Sequence, residues 1–443
     1  MRNYLPLLVV FFLTACKSPE SSRNNPSTPA PGTAISSHDY CDPALARTDA
    51  LDNPSKHAWD LFVTLNHPAK GKTVARGEPD CSKPIGTPGT TAVWETFRNA
   101  ASEVYLSNGA EPPDWQDASL PDEEPGTVPP KAVDASGQEI RSFHGIAQVP
   151  EGKHHMLRGI HPQFSPDGIF NNKGGFGETR LNKTTYDFIR DQCLFSVEGQ
   201  QRYAKAVVDS KKSPISFPVE SIEVKAAWLD FEKEKIPQDK WNTYYTADYN
   251  HKKYGLVALH ILTKDVPNWF WASFHHKDSP GNLYEVKDTY GQPKILAGTV
   301  WENYRLGGTQ TDFVNPTGTA TKLSDYYVEF GFQRSSCITC HATATISPTS
   351  SMPGAQPRAL CAITPDLPDA GLALATCQKI LGQDAFIPGT NQLRIERGVP
   401  DPVWYEKNGK PYFLQTDFVW SITFRGRPEK SPPPARCIWE PSH

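Results

Sequence analysis

Proline is the residue that most restricts how this chain can fold. The sequence contains 41 prolines in 443 residues. Each proline fixes φ and removes a backbone donor, so it interrupts helices and is excluded from the middle of a sheet. We therefore predict an irregular, loop-rich fold in which long helices and long central strands are broken into many short elements.

Residue spacing separates helical segments from strand segments. Residues 56–66, 91–106 and 184–209 have apolar spacing that is compatible with helices. β-Branched and aromatic residues concentrate in four segments that we predict to be strands, namely residues 221–228, 254–263, 269–275 and 412–424. The second and third of these are five residues apart, which predicts an antiparallel hairpin. Because helical and strand segments do not alternate regularly, we predict an α+β fold rather than a doubly wound sheet.

The N-terminus has the pattern of a secretory signal. Arg2 precedes the apolar run 5–13, and small residues lead up to Cys16. A basic head, a short apolar core and a small-residue cleavage site predict that residues 1–15 are a signal peptide. The Leu-Thr-Ala-Cys order resembles the lipobox of bacterial lipoproteins, which predicts lipidation of Cys16. The alternative is ordinary cleavage, with Cys16 incidental.

A flexible tether is expected to follow the signal. Residues 16–40 are rich in Ser, Pro, Asn and Thr and cannot bury enough apolar surface to fold. The predicted order is then an α+β scaffold at 41–325 and a haem-bearing region at 326–443, which could form one domain together. Lys17 in place of Asp favours the outer membrane by resemblance, so we expect an exported lipoprotein facing the periplasm or the cell surface. The net charge of −4 offers no electrostatic reason for nucleic-acid binding.

One motif in the C-terminal region indicates a specific cofactor. Cys337, Cys340 and His341 form a Cys-x-x-Cys-His sequence, which is the attachment signature of c-type haem. Positions i, i+3 and i+4 share one face of a helix, so two thiols and one imidazole can reach the same porphyrin. We predict one covalent haem c with His341 as an axial ligand of the iron. A structural cysteine pair, a thiol-redox pair and a zinc half-site are the alternatives.

The remaining cysteines are even in number. Once Cys16, Cys337 and Cys340 are set aside, six are left, and an exported protein is expected to join them in three disulfides. Spacing does not determine their pairing, although Cys361 with Cys377 would close a short loop. A zinc site formed by these two with the motif cysteines is the competing use. The six are Cys41, Cys81, Cys193, Cys361, Cys377 and Cys437.

The sixth iron ligand is less well indicated. Met352 lies eleven residues after His341, and a methionine ligand would favour electron transfer. Histidine is the other possible ligand type. Strand alternation places His275 on the same face as Trp269 and Trp271, within an aromatic environment, and turns the next histidine away. Loop or core packing of Met352 and simple burial of His275 are the alternatives.

Several further segments resemble a group of exported bacterial proteins known only as cytochrome c family proteins, whose activity is unassigned. The resemblance implies one covalent haem in a large exported domain, and it implies no substrate. It is weakest after His341. The segments that carry it are residues 58–66, 76–80, 93–97, 226–228, 255–260, 268–275 and 335–342.

These observations lead to three functional hypotheses. The first is a membrane-tethered cytochrome that transfers single electrons between exported redox partner proteins. The second is a haem enzyme, peroxidase-like or oxygenase-like, with an open sixth iron site and a small-molecule substrate. The third is a haem-based sensor or binding protein. The length of the chain favours the second, since a simple carrier needs only about 100 residues. We nevertheless prefer the first, electron transfer, because it requires no unidentified catalytic residues.

Overall fold

An antiparallel sheet of seven strands lies at the centre of the computed structural model. The strands follow the order β1-β6-β7-β9-β10-β11, with β8 paired to β9. They are β1 (Arg98–Asn99), β6 (Gly175–Leu181), β7 (Ile222–Asp230), β8 (Thr246–Tyr249), β9 (Lys252–Thr263), β10 (Phe270–His276) and β11 (Tyr304–Gln310). The structure describes residues 49–71, 75–106, 108–117, 175–249, 252–279, 287–325, 327–328, 336–349, 399–400, 402–407 and 409–439, and four two-residue strands between 132 and 147.

Short pairs of strands and six α-helices complete the described part of the chain. The pairs are β2 (Ala132–Val133) with β3 (Glu139–Ile140), β4 (Ser142–Phe143) with β5 (Ile146–Ala147), β12 (Thr345–Ile346) with β15 (Leu414–Gln415), and β13 (Glu406–Lys407) with β14 (Lys410–Pro411). The helices are α1 (Asp49–Asp52), α2 (Pro54–Leu65), α3 (Lys183–Asp191), α4 (Val197–Val208), α5 (Cys337–Ala342) and α6 (Trp420–Arg425). Antiparallel strands combined with segregated helices confirm the predicted α+β class.

Most of the predicted elements are present. Helix α2 matches the pattern at 56–66, and α3 and α4 together match 184–209. The predicted hairpin is formed by β9 and β10. The 12-residue β9 is longer than the proline content led us to expect. It lies within residues 238–266, a stretch without proline, so nothing there interrupts its hydrogen bonding.

Two predicted elements are wrong in type. Residues 91–106 were expected to be helical, but the structure divides them into a 3-10 turn (Val93–Thr96), β1 and a π-helical turn (Ala100–Val104). Residues 412–424 were expected to be a strand, but only Leu414–Gln415 pairs, and helix α6 follows. At 91–106 the pairing of Arg98 and Asn99 with β6 interrupts the expected helix. At 412–424 the contacts of Asp417 with Lys264 and Phe217 override the strand preference of aromatic and β-branched residues.

The apolar face of the central sheet packs against α2. The Phe270 ring meets His57 edge-on at 4.8 Å, and the Phe274 ring meets Trp59 at 5.0 Å. Both phenylalanines are fully buried. Alternation along β10 then places Trp271, Ser273 and His275 on the opposite face. That second face is the one that meets the C-terminal region.

A buried network of charged side chains lies beside the N-terminal end of the sheet. Arg98 Nη1 donates to Glu103 Oε1 at 2.7 Å, and Arg98 Nη2 donates to three backbone carbonyls at 2.7–2.8 Å. Arg180 Nε donates to Glu178 Oε2 at 2.9 Å. Because each of these charges is paired and hydrogen-bonded, the network can be buried without orphaned ions.

Four of the segments that carry the family resemblance contribute to this network or its margin. Trp94 Nε1 donates to Asn66 at 3.0 Å, and Arg76 Nη1 donates to the Thr96 carbonyl at 2.9 Å. Trp228 Nε1 donates to Glu178 Oε1 at 2.8 Å. These segments carry no assignable chemistry as sequence, and the structure gives them a common role in holding the scaffold.

Disulfides are present in the scaffold. Cys193, between α3 and α4, is joined to Cys437, which lies 244 residues away in the sequence. Cys81 is also disulfide-bonded. The suggested pair of Cys361 with Cys377 lies outside the described residues. All of the described residues belong to a single compact unit spanning 37–443, and no helix among them is long and apolar enough to cross a membrane.

Candidate functional site

The Cys-x-x-Cys-His motif forms helix α5. Ser336 caps its N-terminus, because its Oγ accepts a hydrogen bond from Thr339 N at 3.0 Å. The helix then runs from Cys337 to Ala342. This short helix brings Cys337, Cys340 and His341 onto one face, as their spacing predicts.

The two motif cysteines differ in burial. Cys337 is 8% exposed, and its thiol donates to the Leu323 carbonyl at 3.4 Å. Cys340 is half-buried. The disulfide between Cys193 and Cys437 joins two other cysteines of the chain.

The imidazole of His341 is oriented by a backbone carbonyl. Its Nδ1 lies 2.7 Å from the Phe418 oxygen. A carbonyl oxygen can only accept, so Nδ1 carries the proton and Nε2 carries the lone pair. Burial lowers the pKa of His341 to about 3, which keeps the ring neutral. A neutral imidazole whose second nitrogen donates to a carbonyl is the usual state of a metal-ligating histidine.

The carbonyl that holds His341 lies in a strained turn. Asp417 and Phe418 have φ values of 48° and 72°, in the left-handed region that is unfavourable for residues with bulky side chains. The turn is held by Asp417, whose carboxylate accepts from Lys264 Nζ and from Phe217 N, each at 2.7 Å. Strain of this kind persists only where neighbouring contacts enforce it, and such positions cluster at functional sites.

Helix α5 rests on the second face of the central sheet. The Trp271 ring contacts the His341 ring edge-on, with centroids 4.6 Å apart. Gln310, opposite Trp271 on β11, accepts a hydrogen bond from Ile338 N at 3.3 Å. These contacts connect the motif to β10 and β11.

This face, which we call the polar sheet face, is unusually rich in ionisable and polar residues for a buried surface. His260 pairs in register with Lys225 and with Ser273, and its Nε2 lies 3.1 Å from Ser273 Oγ. Burial, aided by the charges of Lys225, His341 and His275, holds the pKa of His260 well below its usual value. The face comprises Glu223, Lys225, His260, Trp271, Ser273, His275 and Gln310.

The suggested sixth ligands have different outcomes. His275 lies on the polar sheet face, as alternation predicted, and its Nδ1 would be only 3.1 Å from a Cβ added at Gly307. It is four residues beyond Trp271, or about 13 Å along the strand. His260 is placed opposite Ser273 and hence closer to the Trp271–His341 contact. Ligation of the iron by His275 stays a prediction. Met352, the other suggested ligand, lies outside the described residues, as does the predicted lipidation site Cys16.

Glu223 is a buried carboxyl on the polar sheet face. It is 4% exposed, and its Oε2 has no hydrogen-bond partner in the described structure. Burial raises the pKa of Glu223 to about 7, and the nearby charges of Lys225 and Arg425 offset only part of that rise. The native protein therefore retains a proton on this residue at pH values at which the unfolded chain has released it.

The sign of the resulting pH effect follows from proton counting. Between the ordinary pKa of 4.5 and the native pKa of about 7, Glu223 binds more protons in the native state than in the unfolded state. The contribution of Glu223 to stability must then decrease as pH rises through this range. We expect the free energy of unfolding of the wild type to fall relative to that of Glu223→Gln between about pH 5 and about pH 8, as measured by denaturant titration. Glu234→Gln, at an exposed position, is the control, and the same pH dependence in Glu223→Gln and the wild type would contradict this assignment.

The chain matches no protein-family model, no curated protein and no solved structure. Among the described residues, no group of three or more His, Cys, Asp or Glu side chains is arranged to hold a metal ion. The alternative zinc site would also require Cys361 and Cys377, which lie outside those residues. The donors that the structure does bring together are two thiols and one oriented imidazole on α5, a set suited to a haem that supplies its own four nitrogens.

Proposed function

We propose that this protein is an exported c-type cytochrome that carries one covalent haem and transfers single electrons. Cys337 and Cys340 would hold the haem through thioether bonds to its two vinyl groups, and His341 Nε2 would coordinate the iron. The hydrogen bond from His341 Nδ1 to the Phe418 carbonyl carries the proposal. This hydrogen bond directs the lone pair of Nε2 away from Phe418. His341 lies on α5, the helix that also bears both thiols.

The surroundings of His341 suit a redox role. When bound, the haem supplies an iron that changes oxidation state by one electron. The protein contributes a ligand held in one orientation by Phe418 and Trp271, so little rearrangement of the imidazole is expected on electron transfer. Cys340 and His341 are both half-buried, which supports an attached group that a docked partner protein could reach.

The cysteine chemistry supports export. Disulfides form and persist in oxidising compartments. The protein has a disulfide between Cys193 and Cys437, and Cys81 is also disulfide-bonded. Together with the signal and lipobox pattern at residues 1–16, this supports a lipoprotein of the outer membrane with exported redox partners.

An optical spectrum of the full chain tests the electron-transfer role. The protein would be produced in a bacterium with c-type haem maturation machinery and purified in detergent. We expect a low-spin, six-coordinate iron in both oxidation states and reversible one-electron reduction. A high-spin ferric band with rapid binding of carbon monoxide or cyanide would instead support the haem enzyme or the haem sensor.

A further inference from the structure

A cavity of about 760 Å³ is lined in part by Phe418, whose carbonyl accepts the hydrogen bond from His341 Nδ1. It is bounded by the β9–β10 connection, by the residues before β7 and by the turn that precedes α6. Pockets for small molecules commonly have volumes of about 300–1,000 Å³. His341, Cys337 and Cys340 are not among its lining residues.

Four aromatic side chains contribute to the walls of this cavity. Phe217, Phe313, Tyr405 and Phe418 all line it, together with prolines from two loops. Aromatic side chains favour flat, apolar ligands through offset and edge-to-face contacts. The cavity thus has the volume and the aromatic and proline side chains to accept a molecule of one or two fused rings.

The charged groups of the cavity are already compensated. Lys264 Nζ donates to Asp417 Oδ1 at 2.7 Å and to the Pro267 carbonyl at 2.6 Å. The carboxylate of Asp265 is 2.9 Å from His57 Nε2 and also accepts from Thr263. One ammonium and two carboxylates leave no excess positive charge among the described lining residues. An anionic ligand would therefore lose its hydration without gaining a counter-ion.

Phe418 connects the cavity to the motif. Its side chain lies at the cavity wall, and its carbonyl accepts the hydrogen bond from His341 Nδ1. Asp417, the preceding residue, also lines the cavity, and both residues form the left-handed turn. A molecule bound against this turn would displace the Phe418 carbonyl, which orients His341.

We propose that this cavity is a binding site for an uncharged aromatic molecule bearing a hydroxyl or carbonyl oxygen, and that its occupancy alters the His341 environment through Phe418. A ligand hydroxyl would donate to Gln415 Oε1, because Gln415 Nε2 already donates to the Ala342 carbonyl and to the Tyr405 hydroxyl. The binding part is independent of the haem. The coupling part rests on the proposed function, since its readout is the spectrum of the attached group.

The binding part is tested by calorimetric titration of the full-length protein with 2-naphthol and with naphthalene-2-sulfonate, a charged analogue that has the same ring system. We expect saturable binding of 2-naphthol at one site and at least tenfold weaker binding of the sulfonate. Val219→Trp, at the half-exposed rim of the cavity, should weaken 2-naphthol binding at least tenfold. Val208→Trp, an equally exposed valine on α4 outside the cavity, should not change it. Equal affinity for both probes, or no effect of Val219→Trp, would overturn the proposal.

The coupling part has a separate readout. Saturating 2-naphthol should shift the visible absorption bands of the holoprotein, and the shift should be lost in Val219→Trp. Binding without a shift would refute the coupling while preserving the site. If the protein carries no haem, the proposed function fails, and calorimetry still decides whether the cavity binds the probe.

Discussion

Replacement of both Cys337 and Cys340 by serine should leave the protein without covalent haem. A serine hydroxyl does not form the thioether that a cysteine thiol forms with a vinyl group, and α5 offers no other thiol. Intact-mass spectrometry of the variant, produced alongside the wild type under haem maturation, should give the mass of the polypeptide alone. The wild type should be heavier by one haem.

The chain provides a matched control for this experiment. Replacing Cys193 and Cys437 with serine also removes two sulfurs, but from a disulfide that lies elsewhere in the fold. This variant should keep the mass of one haem and lose stability, because native disulfides typically contribute about 2–5 kcal/mol. If the wild type lacked the added mass, or if the Cys337/Cys340 variant kept it, the proposed attachment would be wrong.

The largest effect on stability is expected at Arg98. Its side chain is fully buried and neutralises Glu103 while donating to the carbonyls of Asp114, Trp115 and Asp117. Arg98→Met would leave a buried carboxylate and three carbonyls without this donor. Breaking a buried ion pair in this way typically costs about 3–5 kcal/mol, which denaturant titration would detect as a large decrease in the free energy of unfolding.

The control for Arg98→Met is the same substitution at an arginine on the surface. Arg436 pairs with Glu111, but its side chain is 41% exposed. Because solvent screens such pairs, Arg436→Met should cost no more than about 1 kcal/mol. A loss at Arg98 as small as the loss at Arg436 would show that the buried network does not stabilise the scaffold.

Sequence patterns predicted individual helices and strands better than they predicted the tertiary contacts between them. Helix α2 and the β9–β10 hairpin could be predicted because apolar spacing and turn length are properties of neighbouring residues. Residues 412–424 show where this fails. Their aromatic and β-branched content favours a strand, yet the contacts of Asp417 with Lys264 and Phe217 hold a left-handed turn there, and α6 follows.

The candidate site shows the same division. The grouping of two thiols and an imidazole on α5 follows from positions i, i+3 and i+4 of a helix, so a short segment suffices to predict it. The carbonyl that orients His341 belongs to Phe418, 77 residues further along the chain. A backbone carbonyl has no signature in the sequence, and no pattern of residues could have identified it.

The sequence by itself determined the identity and spacing of the groups on α5, the α+β class and the positions of helices α2 to α4 and of strands β7, β9 and β10. Only the tertiary structure decided that Cys193 pairs with Cys437, that scattered segments share one buried charge network, and that α5 lies on the polar sheet face. The physical reason is that periodicity and capping act over a few residues, whereas these contacts depend on how the whole chain packs.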